Sequence, residues 1–553
     1  MRMKLSSVDL RSVWLVTIAC AAVSMVVAAM AALNTALPAI ALDIGADAGQ
    51  MTWIVDGYTL ALAALLLPAG AIGDRLGRRG VLVAGLAVFG VASLLAIWVS
   101  DPTQLIATRC LAGAGAALIM PSTLSLITSG VPESRRALAI SIWAAVAGGG
   151  AIAGFLVTGI LLEFFSWHSI FVTFAASSAL TAVVCLTIGT SRDRNPGAFD
   201  YLGSISSILA VTGIVFGLLE APHRGWDDPL ILICLVGGAV LIGVFVLIEL
   251  RLQSPLLDIH LFRNRAFSSG TLSVALQFLG SFGLFYLLLQ QLQLVFGYSA
   301  LQSALALLPF VVGVGVFSLV GNYLAVRFHS VKYFISGGVL LAGSGIVLMG
   351  AIDYDDYWSV AWILGLFATG IGLSNAPSTT AIMSNTPLDK QGVGSAVNDT
   401  AREVGAAIGI ALAGSIVAAG WSSRIDPVAD ATRADLIAAG EQQVSAGDEA
   451  GGQMLIAQAD RVSDAVRQSL AEATAVADRV ESQAPALAER ILDGAQDAFM
   501  GPLSQTYIVL GSVVAAGSIL LFWLTPLRMV DKPPESAPDE MGDEVSVGPT
   551  NDD

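Results

Sequence analysis

The stretch WIVDGYTLALAALLLPAGAIGDRLGRRG, from Trp53 to Gly80, joins a long apolar run to a loop rich in glycine and arginine. The run is about as long as a helix needs to cross a hydrocarbon core roughly 30 Å thick. Because lipid offers no hydrogen-bond partners, the backbone of such a run must be helical. The acid within it, Asp56, lies about one turn from the end, where a charge costs less than at the membrane centre.

Similar apolar runs recur along all 553 residues, of which 55% are hydrophobic and 13% are charged. Soluble domains are about a quarter charged, so the composition predicts a membrane protein. The fold class is therefore an all-α integral membrane protein with fourteen transmembrane helices. The predicted spans are 13–33, 53–72, 80–99, 104–128, 137–161, 168–189, 202–220, 229–250, 267–295, 300–326, 333–351, 358–384, 394–421 and 503–527.

The distribution of positive charge predicts the orientation. Nearly all Lys and Arg residues of the short loops lie on one side, and the short loops of the other side contain only Arg224. The positive-inside rule then places both termini in the cytoplasm and the protein in the cytoplasmic cell membrane. The net charge of −16 argues against a nucleic-acid partner. All four cysteines fall inside apolar runs, so we expect no disulfide, metal site or cofactor.

Three segments are predicted to lie outside the membrane. Residues 1–12 form a short cytoplasmic N-terminus, and the acidic, proline-rich tail 528–553 is typical of a disordered segment. Residues 422–502 contain apolar positions at helical spacing and predict amphipathic helices on the outer side, broken near GDEAGG. This outer segment is a candidate docking site for a partner in the cell envelope.

The loop GAIGDRLGRRG resembles the signature loop of the major facilitator superfamily through Gly70, Asp74, Arg75, Gly77, Arg78 and Arg79. RCLAGAGAALIMPS, from Arg109 to Ser122, and LNTALPAI, from Leu33 to Ile40, are similar to motifs of its fourteen-span drug–proton antiporter group. The resemblance implies two six-helix bundles, 13–189 and 267–421 with 503–527, plus two inserted spans in 202–250. It also implies alternating access between the bundles.

Some positions depart from that group. The span-1 motif usually carries an aspartate where this chain has Ala29, and the antiporter motif of span 5 is replaced by GFLVTG, from Gly154 to Gly159. In the second half, NYLAVRFHSVK occupies the position of the signature loop, with Val326 in place of its aspartate. Any acid that couples transport to protons must therefore lie elsewhere.

The charged residues inside spans are the candidates for proton coupling: Asp56, Arg109, Asp399, Arg402 and Glu403. We expect Asp56 to face the interior near Arg109, although an interfacial position is equally open. The other three lie at i, i+3 and i+4, hence on one helix face. They form either a coupling site or a structural ion cluster that closes the cytoplasmic side.

Span 5 carries a face of small residues that includes Gly150, Gly154 and Gly159. The resemblance places this face against the other bundle near span 10; packing within its own bundle is the alternative. A substrate cavity is expected near mid-membrane between spans 1, 4, 9 and 12. Its polar and aromatic candidates are Asn34, Gln277, Phe282, Phe285, Tyr286, Gln290, Gln291, Asn375 and Ser378.

These features predict a secondary active exporter of small amphipathic or hydrophobic compounds, coupled to protons and working as a monomer among membrane lipids. A transporter or flippase of lipids or lipid-like metabolites is the alternative, since the span-1 acid is absent. A scaffold or sensor that does not transport would instead depend on residues 422–502 alone. None of these functions is enzymatic.

Overall fold

The computed structural model of the protein describes residues 10–193, 198–328, 330–352, 356–481 and 484–527. The tail predicted to be disordered, 528–553, and most of the predicted N-terminal segment 1–12 lie outside these residues.

Within the described residues the chain is helical. A π-helical turn, Gln291–Val295, follows α9, and short 3₁₀ turns occur at Ile259–Arg263 and Leu388–Lys390. The α-helices are α1 (Leu10–Ile44), α2 (Ala48–Leu76), α3 (Arg78–Ala96), α4 (Pro102–Gly130), α5 (Glu133–Phe164), α6 (His168–Cys185), α7 (Tyr201–Arg224), α8 (Pro229–Glu249), α9 (Arg265–Gln290), α10 (Ala300–Ala306), α11 (Leu308–Arg327), α12 (Val331–Ala351), α13 (Tyr357–Ser384), α14 (Gln391–Ser445), α15 (Glu449–Gln468), α16 (Leu470–Glu481) and α17 (Pro485–Leu524).

Fourteen helical stretches of the described residues are long and apolar enough to cross a membrane, so the predicted fold class is confirmed. The tenth of them is divided between α10 and α11, because Pro309 occupies the first turn of α11 and cannot donate a backbone hydrogen bond to the preceding turn. Capping fixes other starts: Asp101 accepts from the N–H groups of Thr103 and Gln104 at the beginning of α4.

The spanning helices pack into two apolar cores. Helices α1 to α6 share one core, in which Leu33, Leu82 and Ile127 are fully buried or nearly so. Helices α9 to α14 and α17 share the other, which includes Ile346 and Leu510. We refer to these two groups as the first and second bundles.

The two inserted helices, α7 and α8, pack against each other, and α7 also packs against the seam between the bundles. Gly213 of α7 and Gly238 of α8 bring the two backbones close together. A small apolar cluster of Ala63, Val215 and Ala407 joins α2, α7 and α14. Helix α7 therefore covers one edge of the junction between the first and second bundles.

Residues 422–502 form an extension of the second bundle. Helix α14 continues without a break to Ser445 and α17 begins at Pro485, so two spanning helices extend past the predicted ends of their spans and enclose α15 and α16. The indole N–H of Trp421 donates to the carbonyl oxygen of Arg467 at 2.8 Å. The amide of Gln496 donates to the carbonyl oxygen of Leu294 at 3.0 Å, which ties this extension to the π-helical turn after α9.

Candidate functional site between the two bundles

The signature loop, residues 70–80, contacts the start of α14 in the second bundle. The Asp74 side chain is buried, and its carboxylate accepts from the backbone N–H groups of Gly392 at 2.8 Å and Val393 at 3.0 Å. These N–H groups belong to the first turn of α14, where the helix itself supplies no acceptor. The positive end of the helix dipole also favours a negative charge there. A carboxylate of the first bundle thus caps a helix of the second.

Arg78 neutralises that carboxylate and extends the contact. Its Nε and Nη2 donate to Asp74 Oδ1 at 2.9 and 2.6 Å. Nη2 also donates to the carbonyl oxygen of Leu388 at 3.1 Å, just before α14. Both side chains of the pair are almost fully buried, so the ion pair is protected from solvent screening. We call the contact of Asp74 and Arg78 with residues 388–393 the first latch.

The glycines and remaining arginines of the loop shape the first latch. Gly77 has a φ of +108°, which side chains rarely permit. Gly70 and Gly392 approach so closely that a Cβ on either would overlap the carbonyl oxygen of the other. Arg75 lies over an aromatic ring just before α7, 5.3 Å from its centre, and Arg79 donates to a carbonyl oxygen after α6 at 2.8 Å. These two arginines therefore hold the loop to its own half of the chain.

A second contact between the bundles lies at the corresponding helix end of the other half. The Asn322 amide of α11 donates to the carbonyl oxygen of Ala137 and to the Ser141 hydroxyl of α5, both at 2.8 Å. We call this the second latch. Sequence reasoning assigned no role to Asn322, although its place at the start of NYLAVRFHSVK was a usable signal. Both latches lie on one face of the molecule, the face of the signature loop, which we call the loop face.

Arg109 is buried inside the first bundle and bonds to backbone. Its Nε donates to the carbonyl oxygen of Ile54 and its Nη2 to that of Ala29, both at 3.0 Å. Its guanidinium carbon lies 4.3 Å from the centre of the Tyr58 ring. At position 29, where the resemblance places an aspartate, a backbone carbonyl accepts from this guanidinium.

Asp56 does not face Arg109, contrary to the expectation from sequence. Arg109 contacts the side of α2 that carries Ile54, and at 100° per residue Asp56 points about 200° away from Ile54. Asp56 instead interacts electrostatically with Glu220 of α7 and Tyr286 of α9. The carboxylate is therefore directed to the seam that α7 covers.

Asp399, Arg402 and Glu403 are buried together on α14, each at most 3% exposed. The Arg402 guanidinium carbon lies 4.8 Å from the centre of the Trp143 ring of α5 and 4.9 Å from that of Phe278 of α9. In the described part of the chain, Asp399 Oδ2, Glu403 Oε2 and two guanidinium nitrogens have no hydrogen-bond partner. A cluster of charged groups with unused hydrogen-bonding capacity thus lies where the two bundles meet.

The buried cavity candidates join α9 to α13. The Gln277 amide donates to the Ser273 hydroxyl at 2.9 Å, and the Ser378 hydroxyl donates to the same oxygen at 2.8 Å. Among the described residues, Gln277 Oε1 and Asn375 Oδ1 have no partner. Gln291, also buried, accepts from the Tyr507 hydroxyl at 3.2 Å. Part of this group therefore binds helices together, while two of its buried oxygens keep unused hydrogen-bonding capacity.

The other candidates lie toward the opposite face from the latches. Asn34 is exposed, and its amide donates to the carbonyl oxygen of Ala31 at 3.3 Å. Tyr286 is 38% exposed, and the Gln290 amide donates to its carbonyl oxygen at 3.0 Å. The half-buried aromatic rings of Phe282 and Phe285 lie on the same helix as Tyr286. Phe282 stacks on Phe278, which contacts Arg402, whereas Phe285 packs edge-on against Phe310 within the second bundle.

The small residues of α5 divide between two neighbours. A Cβ on Gly150 would meet Val27, and one on Gly154 would overlap the backbone of Ala28, both in α1 of the same bundle. The expected packing of these two against the other bundle is therefore wrong. Gly159 does approach the second bundle, since its Cβ would lie 3.5 Å from Leu301.

Comparison with known proteins identifies a family and several relatives. The Major Facilitator Superfamily model matches residues 19–410. The chain is 34% identical over 493 residues to multidrug efflux pump LfrA of Mycolicibacterium smegmatis, covering 88% of this chain and 91% of that protein. It is 32% identical over 399 residues to methyl viologen resistance protein SmvA of Salmonella typhimurium, covering 71% and 80%.

A solved structure shares the architecture. The proton:xylose symporter XylE superposes with a TM-score of 0.54 at 11% identity, covering 94% of this chain and 97% of that one. At this identity the likeness concerns the fold alone. With a family model over most of the chain and a relative at 34% identity, the protein belongs to the major facilitator superfamily and is a multi-pass membrane transporter rather than an enzyme.

Proposed function

We propose that the protein exports small amphipathic or hydrophobic compounds across the bacterial cell membrane in exchange for protons. The observation that carries the proposal is the cluster of Asp399, Arg402 and Glu403, buried against the ring of Trp143 where the two bundles meet. Buried charges in a membrane bundle are costly and usually mark an ion or substrate pathway. Several relatives are named for drug efflux or drug resistance, which fits an apolar, aromatic site with internal acids.

The positive-inside rule sets the orientation of the proposed transporter in the membrane. It places the loop face, with its many arginines, in the cytoplasm together with both chain ends. In this orientation the two latches close the cytoplasmic side. A cycle would then open the latches to take up substrate and close them again before release to the outside.

The cluster offers a simple route to coupling. An ionised carboxylate of the cluster attracts a cationic or hydrogen-bond-donating group of the substrate, whereas a carboxyl group that has bound a proton attracts that group much less. Substrate and proton would therefore exclude each other at one site, which is the requirement for exchange. One charge moving down about 100 mV supplies about 2.3 kcal/mol, enough for roughly 50-fold accumulation.

The test uses purified protein in liposomes with an imposed pH gradient and a fluorescent lipophilic cation as the probe. We expect transport that depends on the gradient and is abolished by Glu403→Gln or Asp399→Asn. Glu163→Gln is the matched control, because Glu163 is an exposed carboxylate at the end of α5. Gradient-driven transport that survives in both cluster variants would refute coupling through this cluster.

Lipid-like substrates remain a second candidate because of one apolar groove. It has a volume of about 190 Å³ between α1, α5 and α6, with Met25, Val157 and Phe174 in its walls. Such a groove in the membrane-spanning part fits an acyl chain. Transport of a labelled lipid but not of the lipophilic cation, abolished by the filling substitution Val157→Trp, would favour this candidate over drug export.

A further inference from the structure

Two acids outside the cleft between the bundles meet on the loop face. Asp200 precedes the first turn of α7, and Glu249 is the last residue of α8. They are 8% and 3% exposed. Burial of two carboxyl groups side by side is costly unless each charge is paired or neutralised. Neither residue has a role in the proposed transport site.

Each carboxyl group has one oxygen with a donor and one without. The Gly203 N–H donates to Asp200 Oδ1 at 2.7 Å, and the Leu257 N–H donates to Glu249 Oε2 at 3.1 Å. In the described residues, Asp200 Oδ2 and Glu249 Oε1 have no donor. A Cβ on Gly203 would overlap both of these oxygens, so they lie close to one point, and the two carboxyl groups are within hydrogen-bonding distance.

No cation pairs with these acids among the described residues. Beside them lies a cavity of about 30 Å³, room for about one water, whose charged walls are Asp74, Arg75, Asp193, Asp200 and Lys390. Asp74 is bonded to Arg78, and Arg75 lies over an aromatic ring. Two carboxylates in contact without a cation cannot both be ionised, because like charges at this distance repel strongly.

We propose that Asp200 and Glu249 share one bound proton and so form a proton-binding site separate from the cleft between the bundles. The proton lies between Asp200 Oδ2 and Glu249 Oε1 and completes the hydrogen bond that neither carboxylate can make alone. Through Leu257 the same site holds the linker that leads to α9. The acid pair also adjoins the first latch. Asp193, which lines the same cavity as Asp200, donates its N–H to the Asp74 carbonyl oxygen at 2.7 Å.

Infrared spectroscopy of the purified full-length protein in lipid nanodiscs tests the shared proton without a transport assay. Protonated carboxylic acids have a carbonyl stretch distinct from that of carboxylates. At neutral pH we expect Glu249→Gln and Asp200→Asn each to remove the same single carboxylic-acid band. Glu163→Gln is the control, since Glu163 is an exposed carboxylate at the end of α5 and should contribute no such band.

An unchanged carboxylic-acid spectrum in either variant would overturn the proposal. If Glu249→Gln does not fold, Asp200→Asn gives the same comparison, because the new amide can donate to Glu249 in place of the proton. A second readout is tryptic cleavage after the exposed Arg251 in the linker. Cleavage of the wild type should accelerate at the pH where the carboxylic-acid band disappears, whereas cleavage of Asp200→Asn should show no such acceleration. The same pH dependence of the cleavage rate in both proteins would contradict the proposal.

Discussion

Replacing Asp74 by asparagine should open the loop face. In the present structure the Asp74 carboxylate binds two N–H groups of the second bundle, at Gly392 and Val393, and also Arg78 of its own half. The ion pair between Asp74 and Arg78 lies within one bundle. The substitution weakens this pair equally in the open and the closed conformation, so its loss does not change the equilibrium between them. Of the bonds that Asp74 makes, only the two across the bundles bias that equilibrium toward the closed state.

The size of the shift follows from those two bonds. A hydrogen bond to a charged group contributes about 1.5–3 kcal/mol, and one to a neutral group about 1 kcal/mol. Asparagine keeps one neutral acceptor, so the closed state should lose about 2–5 kcal/mol. At about 1.4 kcal/mol per factor of ten, the ratio of open to closed protein rises roughly 30-fold to 4,000-fold.

Distance measurement between paired spin labels tests this shift. Labels at Ser134→Cys in α5 and Tyr333→Cys in α12 occupy exposed positions at the loop-face ends of the two bundles. The native cysteines replaced beforehand are Cys20, Cys110, Cys185 and Cys234. Asp101→Asn is the control, because Asp101 caps α4 by the same chemistry within its own helix. If the long-distance population does not grow in Asp74→Asn, the first latch does not set this equilibrium.

Two further predictions concern other contacts. Trp143→Leu removes the aromatic ring that contacts the Arg402 guanidinium, a cation–π contact worth about 0.5–2 kcal/mol. We therefore expect drug transport in liposomes to fall roughly 2-fold to 30-fold in this variant. The control Trp143→Phe keeps an aromatic ring and should retain most of the transport. A Cβ at Gly113 would overlap the backbone of Tyr58, so Gly113→Ala should lower the free energy of unfolding by about 1–3 kcal/mol. The measurement is the Tm of the protein in detergent, which should fall. A Cβ at Gly243 meets open space, so the control Gly243→Ala should leave the Tm unchanged.

The membrane spans were predictable because lipid imposes a single solution on a long apolar run. Each predicted run has a helix in the structure, and the split of the tenth follows from Pro309, which is visible in the sequence. The continuation of α14 to Ser445 was not predicted as one helix, because hydropathy marks where a helix leaves lipid and not where it ends. The helix end is set by Gly447, with a φ of +97°.

The directions of side chains were not predictable from spacing alone. Asp56 and Arg109 lie at similar depths, yet the rotation of α2 turns one toward α7 and leaves the other to bond with Ile54. Gly150 and Gly154 pack on α1 because their side of α5 faces inward. In each case the missing information is the rotation of a helix about its axis, which depends on neighbours that lie far away in the sequence.

Closure of the loop face depends on both halves of the chain. Asp74 binds the start of α14 and Asn322 binds the start of α5, so each bundle contributes one polar side chain to a helix of the other. Opening this face must break both contacts, and the groups released must then find water or a ligand. A proton or substrate can drive the change only by binding the open state more tightly, by about 5.5 kcal/mol for a full reversal from 1:99 to 99:1. In this scheme, protonation of the cluster of Asp399, Arg402 and Glu403 favours the open state, whereas the bonds of the two latches favour the closed state. A variant that weakens a latch should therefore need a smaller gradient to reach the same open fraction.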